Sequence, residues 1–296
     1  MSATQALSVP EKIRRRRGAT GGNAGIGSRP GFLTYGLLAA FIIGSVYPLW
    51  WSLVVASGTN ATRGETLPMI PGGNFFANAA KVLDAIPFWL ALGNSIIISS
   101  VITLSVVTFS TLAGYAFAKL RFKGRDGLMI FVIVTMAIPT QLGIIPLFMV
   151  MRELGWTGSI GAVIVPTLVT AFGVFFMRQY LVDVIPDELI EAARMDGANQ
   201  IRTFLTVGLP AARPAMAILG LFTFMTAWTD YLWPLIVLPP QNPTLQTALS
   251  QLQSGYYVDY SIVLTGAVLA TLPLLILFVV AGKQLVSGIM AGAVKG

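Results

Sequence analysis

Residues Leu90–Ala118 read LALGNSIIISSVITLSVVTFSTLAGYAFA, without one charged side chain. A helix crosses the hydrocarbon core of a bilayer in about 20 predominantly apolar residues, so this stretch is long enough to span it. Five others share its character: Phe32–Ala56, Leu128–Met151, Ser159–Leu181, Ala215–Pro239 and Ser261–Ala281. The composition agrees, with 55% hydrophobic and only 10% charged residues. A soluble domain carries about a quarter charged residues, and so little charge cannot clothe a water-facing surface. The expected fold class is an all-α integral membrane protein with six transmembrane helices.

The flanks give the orientation. With the N-terminus inside, the outer loops hold only Arg63, Lys81 and Arg152 out of 19 Lys and Arg. All the others fall on the inner side, which is the cytoplasmic bias of basic residues, so both termini are expected in the cytoplasm. The net charge of +7 follows from these flanks and needs no nucleic acid as partner. Residues 1–31, with the run Arg14-Arg15-Arg16-Arg17 and a Gly-rich linker at Gly21–Gly27, read as a disordered basic tail. The long apolar run after them is a retained helix rather than a cleaved leader. Residues 32–287 form the expected membrane domain, with a cytoplasmic loop at 183–213, and 288–296 form a short C-terminal tail.

The chain has no Cys and no His, which excludes disulfides, thiolate or imidazole metal sites and His-based catalytic triads. Six Pro fall inside the spans: Pro48, Pro139, Pro146, Pro166, Pro234 and Pro273. Each removes a backbone donor, and in a bundle the freed carbonyls find other partners. Pro139 and Pro146 together predict a bent third span, with Thr140 and Gln141 beside the bend. The bend either borders a cavity or only improves packing.

The longest inner loop, between spans four and five, begins Pro186-Asp187-Glu188-Leu189-Ile190-Glu191-Ala192-Ala193-Arg194-Met195-Asp196-Gly197-Ala198 and runs on to Gly208-Leu209-Pro210. Asp187 is a candidate N-cap, and Glu188 and Glu191 lie toward the positive end of the helix dipole. Gly197 permits a sharp change of direction. A second short helix is expected at about Asn199–Val207, stopped by Pro210 and Pro214. Periodicity alone leaves two readings open, a docking element for another protein or a helix lying on the lipid headgroups.

The residues themselves distinguish the two. Glu191-Ala192-Ala193, three residues, Gly197, then Val207 and Leu209-Pro210 resemble the EAA loop of permease subunits in binding-protein-dependent ABC importers, with Val where that pattern has Ile. Ala116-Phe117-Ala118-Lys119-Leu120-Arg121-Phe122-Lys123-Gly124 is similar to the maltose-type sugar permeases, as are Thr244-Leu245 and the terminal Ser287–Gly296. The likeness runs from about Phe32 to the end.

This resemblance implies a cytoplasmic coupling helix between spans four and five that seats in a cleft of an ATPase, through Glu191, Ala192, Ala193, Asp196, Gly197, Leu209 and Pro210. Lys295 and Gly296 match the end of a tail that contacts the ATPase pair. The implied partners are a second related permease forming a heterodimer, two ATP-binding cassette subunits, an extracytoplasmic solute-binding protein and a sugar. The chain itself has no Gly-x-x-x-x-Gly-Lys-Ser/Thr loop, so ATP and magnesium are expected in the partner, and the chain is a transport subunit rather than an enzyme. The substrate path is expected among Asn94, Gln141, Trp228, Asp230 and Tyr231. Asp230 reads equally as a carboxylate at the outer interface. Non-sugar solutes such as glycerol phosphate, polyamines or amino acids remain open, and a secondary transporter would instead need paired intramembrane charges.

Overall fold

The computed structural model describes residues 31–59, 69–255 and 258–293, and the N-terminal tail, Arg63, Lys295 and Gly296 lie outside them. Among the described residues every regular element is helical. In chain order they are α1 (Phe32–Ala56), α2 (Phe75–Ala85), α3 (Phe88–Lys119), α4 (Arg125–Met136), α5 (Ile144–Glu153), α6 (Ile160–Ile164) and α7 (Ala171–Val184). Then follow α8 (Asp187–Met195), α9 (Gln200–Thr203), α10 (Leu209–Thr229), α11 (Leu232–Val237), α12 (Leu245–Gln251) and α13 (Tyr260–Ala293). Among the described residues, five helical stretches are long and apolar enough to cross a membrane, and a bent pair, counted as one span, makes a sixth.

The chain divides into two compact units at Trp50 and Trp51. The described part of the first is the apolar run of α1 up to Trp50. It absorbs a polar group locally, since Ser45 Oγ donates to the Phe41 carbonyl at 2.8 Å.

The stretch Leu90–Ala118 becomes α3, the central helix. Small residues set its approach to α7. A β-carbon on Gly114 would lie 2.6 Å from that of Met177, and one on Gly173 would lie 2.3 Å from Ser110 Oγ. Close backbone approach through small residues is how helices associate where lipid removes the hydrophobic drive between them. Ile98, Ile102, Val106, Met177, Leu181 and Leu219 are buried in the resulting core. A second cluster, Val82, Phe88, Trp228, Leu245 and Ala270, joins α2, α3, α10, α12 and α13.

Pro explains where the spans depart from single helices. The third span is α4 and α5 bent by 88° across the 3-10 turn Thr140–Gly143. The break sits at Pro139, whose ring disfavours helix at the residue before it. Pro146 makes no second bend, because it falls in the first turn of α5, where its missing N–H costs nothing. The fourth span changes to 3-10 geometry at Val165–Thr167, around Pro166.

In the fifth span the expected stop at Pro210 and Pro214 does not occur. Helix runs from Gln200 to Thr229, with a π-helical turn at Phe204–Gly208. That wider turn immediately precedes Pro210, the second residue of α10, and replaces the regular turn that the proline would otherwise strain. Pro214 is carried inside α10 as a tolerated loss. The outer end is shorter than expected, because Asp230 takes an extended conformation (ψ 123°) before α11 begins. The sixth span, Tyr260–Val280, agrees with expectation to one residue at either end, and its helix α13 continues beyond it to Ala293. Two short helices, α2 and α12, have no counterpart among the expected elements, because they are too short to show as spans.

Candidate functional site

The inner loop is built from its ends. Pro186 is the N-cap of α8, with extended backbone (φ −62°, ψ 146°), so Asp187 is the first helical residue and not the cap expected of it. Its carboxylate is engaged elsewhere. Lys119 Nζ, at the end of α3, donates to Asp187 Oδ1 at 2.8 Å. The Lys119 side chain is 6% exposed and that of Asp187 is 73% exposed. Lys119 holds the Asp187 carboxyl below its usual range, by hydrogen bond first and by charge second.

One face of α8 anchors it and another is presented outward. Ile190 is buried in the core cluster that also holds Tyr115. Glu188, Glu191, Ala192 and Met195 are exposed, Met195 at 88%. Their positions i, i+3, i+4 and i+7 put them on one stripe. The helix ends in a Schellman turn. Ala198 N–H donates to the Ala193 carbonyl and Gly197 N–H to the Arg194 carbonyl, both at 3.0 Å. Gly197 sits at φ +77° with nothing within 4 Å of where a β-carbon would be, so the constraint there is backbone conformation and not space. Asp196 is the C-cap.

After the turn, Asn199 caps α9 by accepting from Arg202 N–H at 2.9 Å. The π turn then packs against α3. The rings of Tyr115 and Phe204 meet edge-on with centroids 5.1 Å apart, and a β-carbon on Gly208 would lie 2.8 Å from the Tyr115 ring. Leu209 is half-buried and Pro210 exposed. A groove of about 230 Å³ remains under the loop, lined by Tyr115, Leu120, Ile190, Arg194, Asn199 and Thr203 among others.

The residues expected along a substrate path have different settings. Asn94 is buried and its Nδ2 donates to Asn242 Oδ1 (2.8 Å) and to the Pro243 carbonyl (2.9 Å). Asn242 Nδ2 in turn donates to the Gly158 carbonyl at 3.2 Å. Beside them Ser95 Oγ accepts from Leu245 N–H at 2.8 Å. Trp228 is 1% exposed and its Nε1 donates to the Ala270 carbonyl at 3.3 Å. Asp230 is half-buried, and its carboxylate lies by the backbone N–H groups of Trp233 and Leu232 at the start of α11. Gln141, in the turn that bends the third span, and Tyr231 are exposed.

Asn242, Tyr115 and Lys119 carry roles that the sequence alone did not assign. For Lys119 the signal was available, as a cation ending an apolar span inside a quoted motif. For Asn242 there was none, since its partners lie far away in the chain.

Residues 107–289 match the family described as binding-protein-dependent transport system inner membrane component. The arabinooligosaccharides transport system permease protein AraQ of Halalkalibacterium halodurans is 35% identical, over 87% of this chain and 93% of that protein. The lactose transport system permease protein LacG of Rhizobium radiobacter is 33% identical, over 90% and 97%. The sn-glycerol-3-phosphate transport system permease protein UgpE of Salmonella typhi is 31% identical, over 67% and 72%. Among solved structures, a bacterial ABC transporter involved in import of the acidic polysaccharide alginate superposes with a TM-score of 0.72 at 26% identity, covering 85% of this chain and 94% of that one.

Proposed function

The chain belongs to the family of binding-protein-dependent transport system inner membrane components, and from that premise we propose that it carries an oligosaccharide or related sugar across the membrane by alternating access. It is a transport subunit, and the hydrolysis of ATP takes place in a partner. The observation that carries the coupling assignment is the exposed stripe Glu188, Glu191, Ala192 and Met195, ended by the left-handed Gly197. A rigid helix with an acidic and apolar outward face fits a cleft in another protein. Asp196, Leu209 and Pro210 frame it.

A second, related permease completes the pathway, and two ATPases bind one coupling helix from each. An extracytoplasmic binding protein delivers the solute. Both termini lie on the ATPase side, with residues 1–31 and 288–296 as tails there. Support for a sugar comes from the arabinooligosaccharide and lactose permeases, each matched over most of its length. The sn-glycerol-3-phosphate permeases favour a second reading, a phosphorylated polyol as cargo.

Reconstitution decides between them. The chain is placed in proteoliposomes with the second permease, the ATPase pair and the binding protein, and ATP hydrolysis and uptake are measured with each solute. Stimulation by oligosaccharides and none by sn-glycerol 3-phosphate supports the sugar. The reverse assigns the phosphate ester. No stimulation by either, with the complex intact, removes both.

A further inference from the structure

We propose that the inner end of α3 receives the displacement of the coupling helix, with Lys119 as the positioning residue that ties the two together. The proposal rests on the coupling role given to α8 above.

Lys119 is the last residue of α3 and Asp187 the first of α8. The cation therefore sits at the negative end of one helix dipole and the anion at the positive end of the other. The 2.8 Å ion pair joins these two helix ends directly. The Lys119 side chain is almost wholly buried while the carboxylate it reaches is open to solvent, so packing holds the lysine stem along one course and its ammonium meets Asp187 at a fixed place. The contact is thus a constraint on where α8 begins.

One turn earlier on the same face, Tyr115 holds the other leg of the loop. Its ring lies on Phe204 and leaves no room for a β-carbon at Gly208. Residues i and i+4 of a single helix thus grip the loop where it leaves the bundle and where it returns. Ile190 closes the middle. A shift of α8 cannot be taken up as slack in the loop, because both legs are fastened to α3. Beside Tyr115, α3 meets α7 closely, with Gly114 against Met177 and Arg178 and Gly173 against Ser110, so a push at its inner end moves a packed block.

The test reads coupling rather than folding. Complexes carrying Lys119→Gln or Asp187→Asn are reconstituted with the partner ATPase, second permease and binding protein. ATP hydrolysed per solute transported is then measured. Both substitutions should raise that ratio, by about tenfold for Asp187→Asn. The effect of Lys119→Gln should be smaller, because Arg121 also attracts Asp187. Lys119→Arg should keep the ratio near wild type. Wild-type ratios in Lys119→Gln and Asp187→Asn, with assembly intact, overturn the proposal. If either fails to assemble, Lys119→Arg and Asp187→Glu decide: tight coupling in both supports it, and loss of coupling in both with normal assembly overturns it. A wild-type complex whose ATPase ignores loaded binding protein would instead overturn the coupling role of α8 itself.

Discussion

The inner loop and the outer polar cluster contain similar residues put to opposite uses. In the loop, Glu188, Glu191, Ala192 and Met195 face outward, and the internal bonding is confined to the helix ends. In the outer cluster, Asn94, Ser95, Trp228 and Asp230 spend their polar groups inside the chain, on Asn242, Pro243, Leu245, Ala270 and the start of α11. A buried polar group left without a partner is expensive, so the outer residues hold the fold. The loop residues keep their hydrogen-bonding capacity and apolar surface for something else. Substitutions outside should therefore change stability with little effect on coupling, and those inside should do the reverse.

The largest stability effect is expected at Trp228. Trp228→Ala empties a site that is 1% exposed and should lower stability by about 3–5 kcal/mol, read as a lower melting temperature of the detergent-solubilised complex. The ATP cost per solute of the surviving complex should not change. Next is Asn94→Ala, which strands Asn242 Oδ1 and the Pro243 carbonyl and should cost about 1–3 kcal/mol, again by melting temperature. If Asn94→Ala left stability untouched and instead altered solute selectivity, Asn94 would belong to the path and the contrast would fail.

Gly197→Ala should cost about 1–2 kcal/mol, the strain of a left-handed residue with a β-carbon, with φ at +77°. Because no atom stands in the way, the Schellman turn should shift rather than collapse. ATPase association measured by co-purification should weaken more than the melting temperature falls. The smallest effect is in acid. The Asp187 carboxyl is held below its usual value of 3.8. A depressed carboxylate contributes above its unfolded value and loses that contribution as pH falls through the folded one. The difference between wild type and Asp187→Asn in melting temperature should thus be flat from about pH 8 to pH 5 and shrink only below 3.8.

This contrast also explains what could be read in the sequence. The spans were legible because lipid forces long uncharged runs, and α3 matches Leu90–Ala118 to within two residues at either end. Gly197 was legible because its constraint is local: a left-handed turn needs Gly whatever surrounds it. Pro139 bends its span as its sequence context suggests, yet Pro210 does not stop its helix, since whether Pro ends a helix depends on the turn before it. Here that is a π turn packed on Tyr115. For Asn94 and Trp228 composition shows polar groups in an apolar bundle but cannot say whether such a side chain already has a partner. Asn94 finds Asn242 nearly 150 residues away (|i−j| = 148), which no local pattern shows.

The claim that the outward stripe of α8 meets an ATPase is tested most directly by Glu191→Lys. Glu191 is exposed and lies midway along the stripe, so the change leaves the fold of this chain alone. Co-purification of the ATPase with the membrane-inserted variant, together with solute uptake, is the measurement. Normal insertion with the ATPase lost, or with uptake abolished in a complex that still forms, is the predicted result. Normal uptake and normal ATPase association would contradict it.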